Sequence, residues 1–318
     1  LAADPERAEL DVPTDGVPFT LLGPGGAELH GEVYGRHDAP TVVLMHGWMC
    51  TSAVWRRQVR ALGQHLRVVT YDQRGHGQSP PAPDRDYSSD ALAADLDAVL
   101  RQAVPPGERA VVAGHSLGAM AVVAWASAHR HRVRDRLAGV ALVNVGVEEL
   151  IVRSTIVPFP TVLATLRTAL GERILGSSIP LPSRSNPVLS RLVRAVALGP
   201  TASPAQVAFC TEMLLGCPTD VRAAFGATLS TFDLAHGLSA LTVPTIVIAG
   251  QHDRLTPPVH ARAIAAAVPG SSLIELPGVG HMTPLEAHAE VTDHLRRLVG
   301  TGTHHGSITP DGRVGRRR

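Results

Sequence analysis

Lysine is missing from this chain: all 29 of its basic residues are arginine, against 28 acidic ones. The bias marks codon composition rather than function, and the resulting net charge of +1 excludes the strong positive field of a nucleic-acid or anionic-membrane binder. Aromatic residues make up only 3%, so a core has to be built from Val, Leu, Ile and Ala. The three cysteines, Cys50, Cys210 and Cys217, are too few for a disulfide framework. If Cys210 and Cys217 share a helix, two turns hold them about 10 Å apart, beyond disulfide reach. Only a helix that stops near Gly216 and Pro218 would let them pair. Free thiols and no metal site are therefore expected. No run is apolar for long enough to span a membrane, and no signal peptide is visible. The chain begins at Leu1 rather than Met, so an upstream signal or anchor stays open. The cytoplasm is the expected compartment, and the oligomeric state is open.

What is present suits one large α/β domain, or one domain with an insertion: 318 residues, 44% of them apolar. Residues 1–16 read as a loose polar lead-in. Val17–Leu22 and Leu29–Tyr34, separated by Gly-Pro-Gly-Gly, read as an antiparallel strand pair. Apolar runs of strand length follow at Thr41–Met45, Leu66–Tyr71, Arg109–Ala113 and Val140–Val145. Between them lie helical patterns at Ser52–Gln64, Ser88–Val104 and Leu117–His129. This alternation predicts a mostly parallel sheet with helices on both faces. Ligands of such sheets sit beyond the carboxyl ends of the strands, where His46, Asp72, Ser116 and Asn144 fall.

From residue 146 to 240 the alternation stops. Proline-punctuated helical patterns at 160–175, 187–198, 204–215 and 219–230 predict a helical insertion lying as a lid over the strand ends. Alternation returns with a strand at Thr245–Ala249, a helix at 258–268, a strand at Ser272–Leu276 and a last helix at 284–299. The core is thus expected at 17–145 and 241–299, with a disordered basic tail at 301–318. There is no internal repeat.

One stretch carries chemistry. The strand ending at Ala113 runs into Gly114-His115-Ser116-Leu117-Gly118, and a helix begins at once. Glycines on both sides let strand and helix close tightly around Ser116. The helix start aims free N–H groups and positive dipole at the same point. A serine there is placed to attack a carbonyl, and Leu117 N–H to hold the resulting oxyanion. The hydroxyl needs a base. His281 qualifies: it sits on a glycine-flanked loop after the last strand. The imidazole needs an acid. Asp253 follows the preceding strand at the same edge, where it could equally cap the next helix. Glu148 or Glu149 are rival acids. A second oxyanion donor is expected from His46-Gly47-Trp48, with Trp48 N–H the choice and Met49 N–H the alternative.

Ser116, Asp253 and His281 occur in the order nucleophile, acid, base. With His46-Gly47-Trp48, Asp72-Gln73-Arg74-Gly75-His76-Gly77-Gln78-Ser79, Gly250-Gln251-His252-Asp253 and Gly280-His281, the chain resembles the α/β-hydrolase fold family over roughly residues 17–299. The resemblance is to its lid-bearing esterase and lipase-like branch. It implies an α/β-hydrolase fold with a mostly parallel central sheet, helices on both faces and a helical lid insertion. It also implies a cofactor-free serine triad. Dehalogenases and epoxide hydrolases of this fold carry Asp at the elbow, so Ser116 sets those activities aside. The Asp72–Ser79 loop resembles one that supports the floor of the site. Its Asp72 and Arg74 are expected to bind backbone and each other, and His115 to pack behind the elbow.

The insertion is strongly apolar: Ile151, Val152, Ile156, Val157, Phe159, Val162, Leu163, Phe209, Met213, Leu214 and Leu215. This predicts an apolar pocket with Trp48 and Met49 in its wall. The expected substrate is a small-molecule carboxylic ester with an apolar acyl or alcohol part, cleaved through an acyl-enzyme. Other serine-triad chemistry stays open: a cofactor-free haloperoxidase, a carbon–carbon bond hydrolase or a biosynthetic tailoring enzyme. So does a non-catalytic binding protein of the same fold.

Overall fold

The computed structural model describes residues 4–11, 15–155, 171, 173 and 175–304. Eight strands form one sheet: β1 (Val17–Leu22), β2 (Glu28–Gly35), β3 (Thr41–Met45), β4 (Arg67–Tyr71), β5 (Ala110–His115), β6 (Leu137–Val143), β7 (Thr245–Gly250) and β8 (Ser272–Leu276). Their spatial order is β1-β2-β4-β3-β5-β6-β7-β8. The β1–β2 and β2–β4 pairs are antiparallel. All the others are parallel.

The continuous apolar runs of the central strands have a simple cause. Side chains alternate faces along a strand, and here both faces are covered. Val43, Met45, Val69, Val112 and Leu142 belong to one core, and Val42, Leu44, Val68, Val111 and Val143 to the other. The first core is closed by helices α3 (Ser89–Gln102), α4 (Leu117–Ala128) and α8 (Pro258–Ala267). The second is closed by α2 (Arg56–Leu62) and α9 (His288–His304). Helix α4 is buried from Leu117 to Ala126, because α3 packs along it on one side and the sheet on the other. That explains why its sequence shows no polar face.

Between β6 and β7 the described residues contain no strand. They contain α5 (Pro187–Ala197), α6 (Pro204–Gly216) and α7 (Thr219–Leu229). The starts of α5 and α6 follow from their sequence. The Asn186 side chain accepts Leu189 N–H ahead of Pro187. Ser203 and Gln206 form a reciprocal capping box around Pro204. The predicted helix at 160–175 lies outside the described residues, apart from 171, 173 and 175. So do Ile156, Val157, Phe159, Val162 and Leu163.

Three elements differ from expectation. Pro5–Asp11, within the stretch expected to be loose, forms helix α1 with Leu10 fully buried. The helix expected at 52–64 begins as a 3-10 turn at Ser52–Trp55. The last helix is two: Thr283–Glu286 stops at Ala287, whose φ of −130° and ψ of 48° are not helical, before α9 begins. Helix α9 runs to His304, into the predicted tail, whose remainder lies outside the described residues. Among the described residues no helix is long and apolar enough to cross a membrane.

Candidate active site

Ser116 stands at the turn between β5 and α4 with φ 52° and ψ −115°, a strained conformation for any residue with a side chain. The flanking glycines make the bend possible. A Cβ on Gly114 would lie 2.4 Å from the Ala119 nitrogen, and one on Gly118 would lie 2.7 Å from the Met45 carbonyl. Met49 (φ 57°) and Asn144 (φ 49°) are strained in the same way, just beyond the ends of β3 and β6, the neighbours of β5. Strain is therefore gathered at one rim of the sheet.

Asp253 and His281 meet at that rim. The Asp253 side chain is fully buried, and its Oδ2 lies 2.8 Å from His281 Nδ1. The same oxygen accepts Asn144 Nδ2–H at 2.9 Å and the Thr256 hydroxyl at 2.8 Å. Oδ1 accepts the N–H groups of Leu255 and Thr256, both at 2.9 Å. One oxygen of Asp253 thus caps the following turn and the other faces the imidazole. Burial alone would raise its pKa; the His281 charge and these hydrogen bonds outweigh it and hold the carboxylate below its ordinary value. The rival acids are elsewhere. Glu148 and Glu149 are turned to Arg153, at 3.7 and 2.6 Å.

The His115 and His281 rings pack at a tilt of 52°, with centroids 5.0 Å apart. His115 Nε2–H donates to the His281 carbonyl at 2.8 Å, which ties the residue beside the nucleophile to the histidine loop. Burial pushes the pKa of His115 down to about 3, so it is neutral and packed behind the elbow. Among the described residues none is hydrogen-bonded to the Ser116 hydroxyl.

The loop after β3 presses on the elbow: a Cβ on Gly47 would lie 3.1 Å from Ser116 Cβ. Of its two candidate donors, Met49 N–H is occupied, donating to His76 Nε2 at 3.1 Å. His76 can accept there because burial drives its pKa down to about 3 and its Nδ1 faces the Arg74 carbonyl. Trp48 N–H and Leu117 N–H have no acceptor among the described residues.

The Asp72–Ser79 loop is structural, with one correction. Asp72 binds backbone as expected, accepting from Ser52 N–H at 2.7 Å and Gln78 N–H at 2.9 Å. Arg74 does not pair with it. Its guanidinium makes two bonds to Asp95 of α3, at 2.6 and 2.7 Å, because the turn after β4 sends it into the α3 face of the core. Sequence reasoning also missed Asn144 as a functional partner. Its position at a strand end carries no signal of this role, yet it bridges Asp253 and the Gly280 carbonyl.

A cavity of about 470 Å³ lies beside this site, lined in part by Cys50, Thr51, His76, Phe209, Met213 and Cys217. Ser116, Asp253 and His281 are not in its walls. The three cysteines are free and buried. Burial raises the Cys50 and Cys217 thiols to about 12, so they are poor nucleophiles. Among the described residues no group of three or more His, Cys, Asp or Glu could hold a metal ion.

Comparison with known proteins adds four findings. A family model described as alpha/beta hydrolase fold matches residues 40–287. The chain is 31% identical over 291 residues to "Putative carbamate hydrolase RutD" of Variovorax paradoxus, covering 86% of this chain and 98% of that one. It is 27% identical over 277 residues to the pimeloyl-[acyl-carrier protein] methyl ester esterase of Xanthomonas axonopodis, covering 86% and 99%. Among solved structures it is similar to a thermophilic esterase from Thermogutta terrifontis, with a TM-score of 0.72, 25% identity, and coverage of 90% and 99%.

Proposed function

Since the chain belongs to the α/β-hydrolase fold family and is a hydrolase in its relatives' company, we propose that it is a serine hydrolase of carboxylic esters. Ser116 is the nucleophile, His281 the general base and Asp253 the acid that fixes its tautomer. The observation that carries this reading is the 2.8 Å Asp253–His281 hydrogen bond, with the His281 ring packed against the residue that precedes the strained serine.

The sequence of events follows from the groups present. With Nδ1–H committed to Asp253, His281 offers Nε2 as the acceptor for the Ser116 proton. The alkoxide oxygen attacks the ester carbonyl, and the charge on the carbonyl oxygen is met by Trp48 and Leu117 N–H. Each such donor lowers the barrier by roughly 3 kcal/mol. The imidazolium returns its proton to the departing alcohol, leaving an acyl-serine. Water, deprotonated by His281, then releases the acid.

We read residues 146–240 as a lid. Support comes from its contacts at the rim. Phe225 of α7 packs on the His76 ring at 5.1 Å, a Cβ on Gly226 would lie 3.1 Å from the Trp48 indole, and Ala197 O accepts His281 N–H. Trp48 and Met49, packed on the apolar core, would then wall a pocket for the apolar half of the ester. A carbamate is the second reading, favoured by the relative that carries that name over nearly its whole length; the same serine would attack it. A p-nitrophenyl ester chain-length series tests the proposal. Turnover should depend on chain length and vanish in Ser116→Ala. Turnover of every ester at the rate of Ser116→Ala would refute it.

A further inference from the structure

The loop that carries His281 is held by a carboxylate that has no part in the proposed chemistry. Glu286 ends the short helix Thr283–Glu286. Its Oε1 accepts the N–H groups of Gly280 and Met282, both at 3.1 Å. These are the two residues that flank His281. Its Oε2 accepts Gly199 N–H at 2.6 Å, and Gly199 lies two residues beyond the end of α5. One side chain thus ties both shoulders of the histidine to the insertion.

The same two segments meet at other points. His281 N–H donates to Ala197 O at 2.9 Å. The Thr201 hydroxyl donates to Gly278 O at 3.0 Å. The backbones touch: a Cβ on Gly280 would lie 2.4 Å from Gly199 N, and one on Gly199 would lie 2.3 Å from Gly278 O. Residue type matters here. Three converging N–H groups need an acceptor with two oxygens and no donor of its own, which among side chains only an ionised carboxylate provides. The cost is visible. Burial raises the pKa of Glu286, and the three backbone bonds recover only part of it. A carboxylate kept at such a cost is there for what it holds.

We propose that Glu286 is a positioning residue that locks the His281 loop to the Ala197–Thr201 segment, so that the insertion sets where the imidazole stands. The proposal rests on the reading of His281 as the general base. The hydrogen bonds of the Glu286 carboxylate all go to backbone N–H groups, none to a side chain of the proposed triad. Its loss should therefore let the ring drift without removing any group from the reaction. A drift of about 1 Å costs on the order of 100-fold in rate.

The test compares Glu286→Ala and Glu286→Gln with wild type in two readouts. The first is kcat and KM on a p-nitrophenyl ester. The second is the far-downfield proton NMR signal of His281 Nδ1–H bonded to Asp253, with far-UV circular dichroism as the check on folding. Glu286→Ala should lose about 100-fold in kcat at little-changed KM and lose or broaden the downfield signal. Glu286→Gln keeps one acceptor oxygen and should fall between. Wild-type kcat and an unchanged signal in both variants would overturn the proposal. If Glu286→Ala does not fold, Glu286→Gln decides alone. If wild type shows no Ser116-dependent turnover, the enzymatic reading fails by itself, and the NMR signal still reports whether Glu286 positions the ring.

Discussion

Ser116 holds a backbone conformation that costs about 1–3 kcal/mol, and the two glycines around it are what make the fold able to bear it. Those glycines are also why the site could be read from the chain at all, since a strand, a five-residue motif and a helix leave few other geometries. Asn144 could not be read in the same way. Nothing in its neighbourhood marks an asparagine at a strand end as the link between residues 253 and 280, which the β6–β7 and β7–β8 pairings bring beside it. Arg74 was misassigned because its partner was sought two residues away, while the turn delivers it to Asp95 on α3. The buried histidines give a prediction. His76 and His115 have pKa values lowered to about 3, against about 6.5 in the unfolded chain. Between those limits the unfolded state binds more protons than the native one, so stability is full above about 6.5 and is lost as pH falls toward 3. The melting temperature should drop steadily from pH 7 to pH 4. His76→Gln, which keeps an acceptor for Met49 N–H but does not titrate there, should give a shallower slope. Equal slopes would show that His76 takes up its proton alike in the folded and unfolded states.

Strand positions were legible because their apolar runs are bounded by turns and sit at regular intervals, and the two-face burial of the sheet accounts for the runs. Helix ends were less legible. Ala287 breaks the last helix although its residue type favours helix, because Glu286 is drawn back to the histidine loop. Helix α1 is the plainest omission. Seven residues whose only large aliphatic member is Leu10 give no readable period, yet Leu10 is wholly buried. Arg57 holds Glu6 at 3.0 Å and Glu9 at 3.1 Å, and Arg7 pairs with Glu212 of α6 at 2.5 Å. Helix α1 thus joins the core to the insertion. Removing residues 1–11 should destabilise the protein by about 1.5–3 kcal/mol for Leu10 alone, with a smaller addition from the partly exposed ion pairs. Chemical denaturation would measure it; an unchanged midpoint would mean that α1 is not held in solution.

Across the whole molecule, the parallel strands deliver their loops to one rim. Residues 48, 116, 144, 253 and 281, far apart in the chain, arrive there because each follows a strand of the same sheet. That is the part of the α/β-hydrolase fold that sequence order reveals. On the proposed reading, substrate choice rests instead on contacts between the insertion and the rim, which no local pattern encodes. On the proposed mechanism, the serine at the β5–α4 turn is made reactive by His281 and Asp253. Fluorophosphonate labelling followed by peptide mass spectrometry tests it most directly. Wild type should be labelled stoichiometrically at Ser116, Ser116→Ala not at all, and His281→Ala orders of magnitude more slowly. Folded wild-type protein that stays unlabelled, or His281→Ala labelled at the wild-type rate, would contradict it.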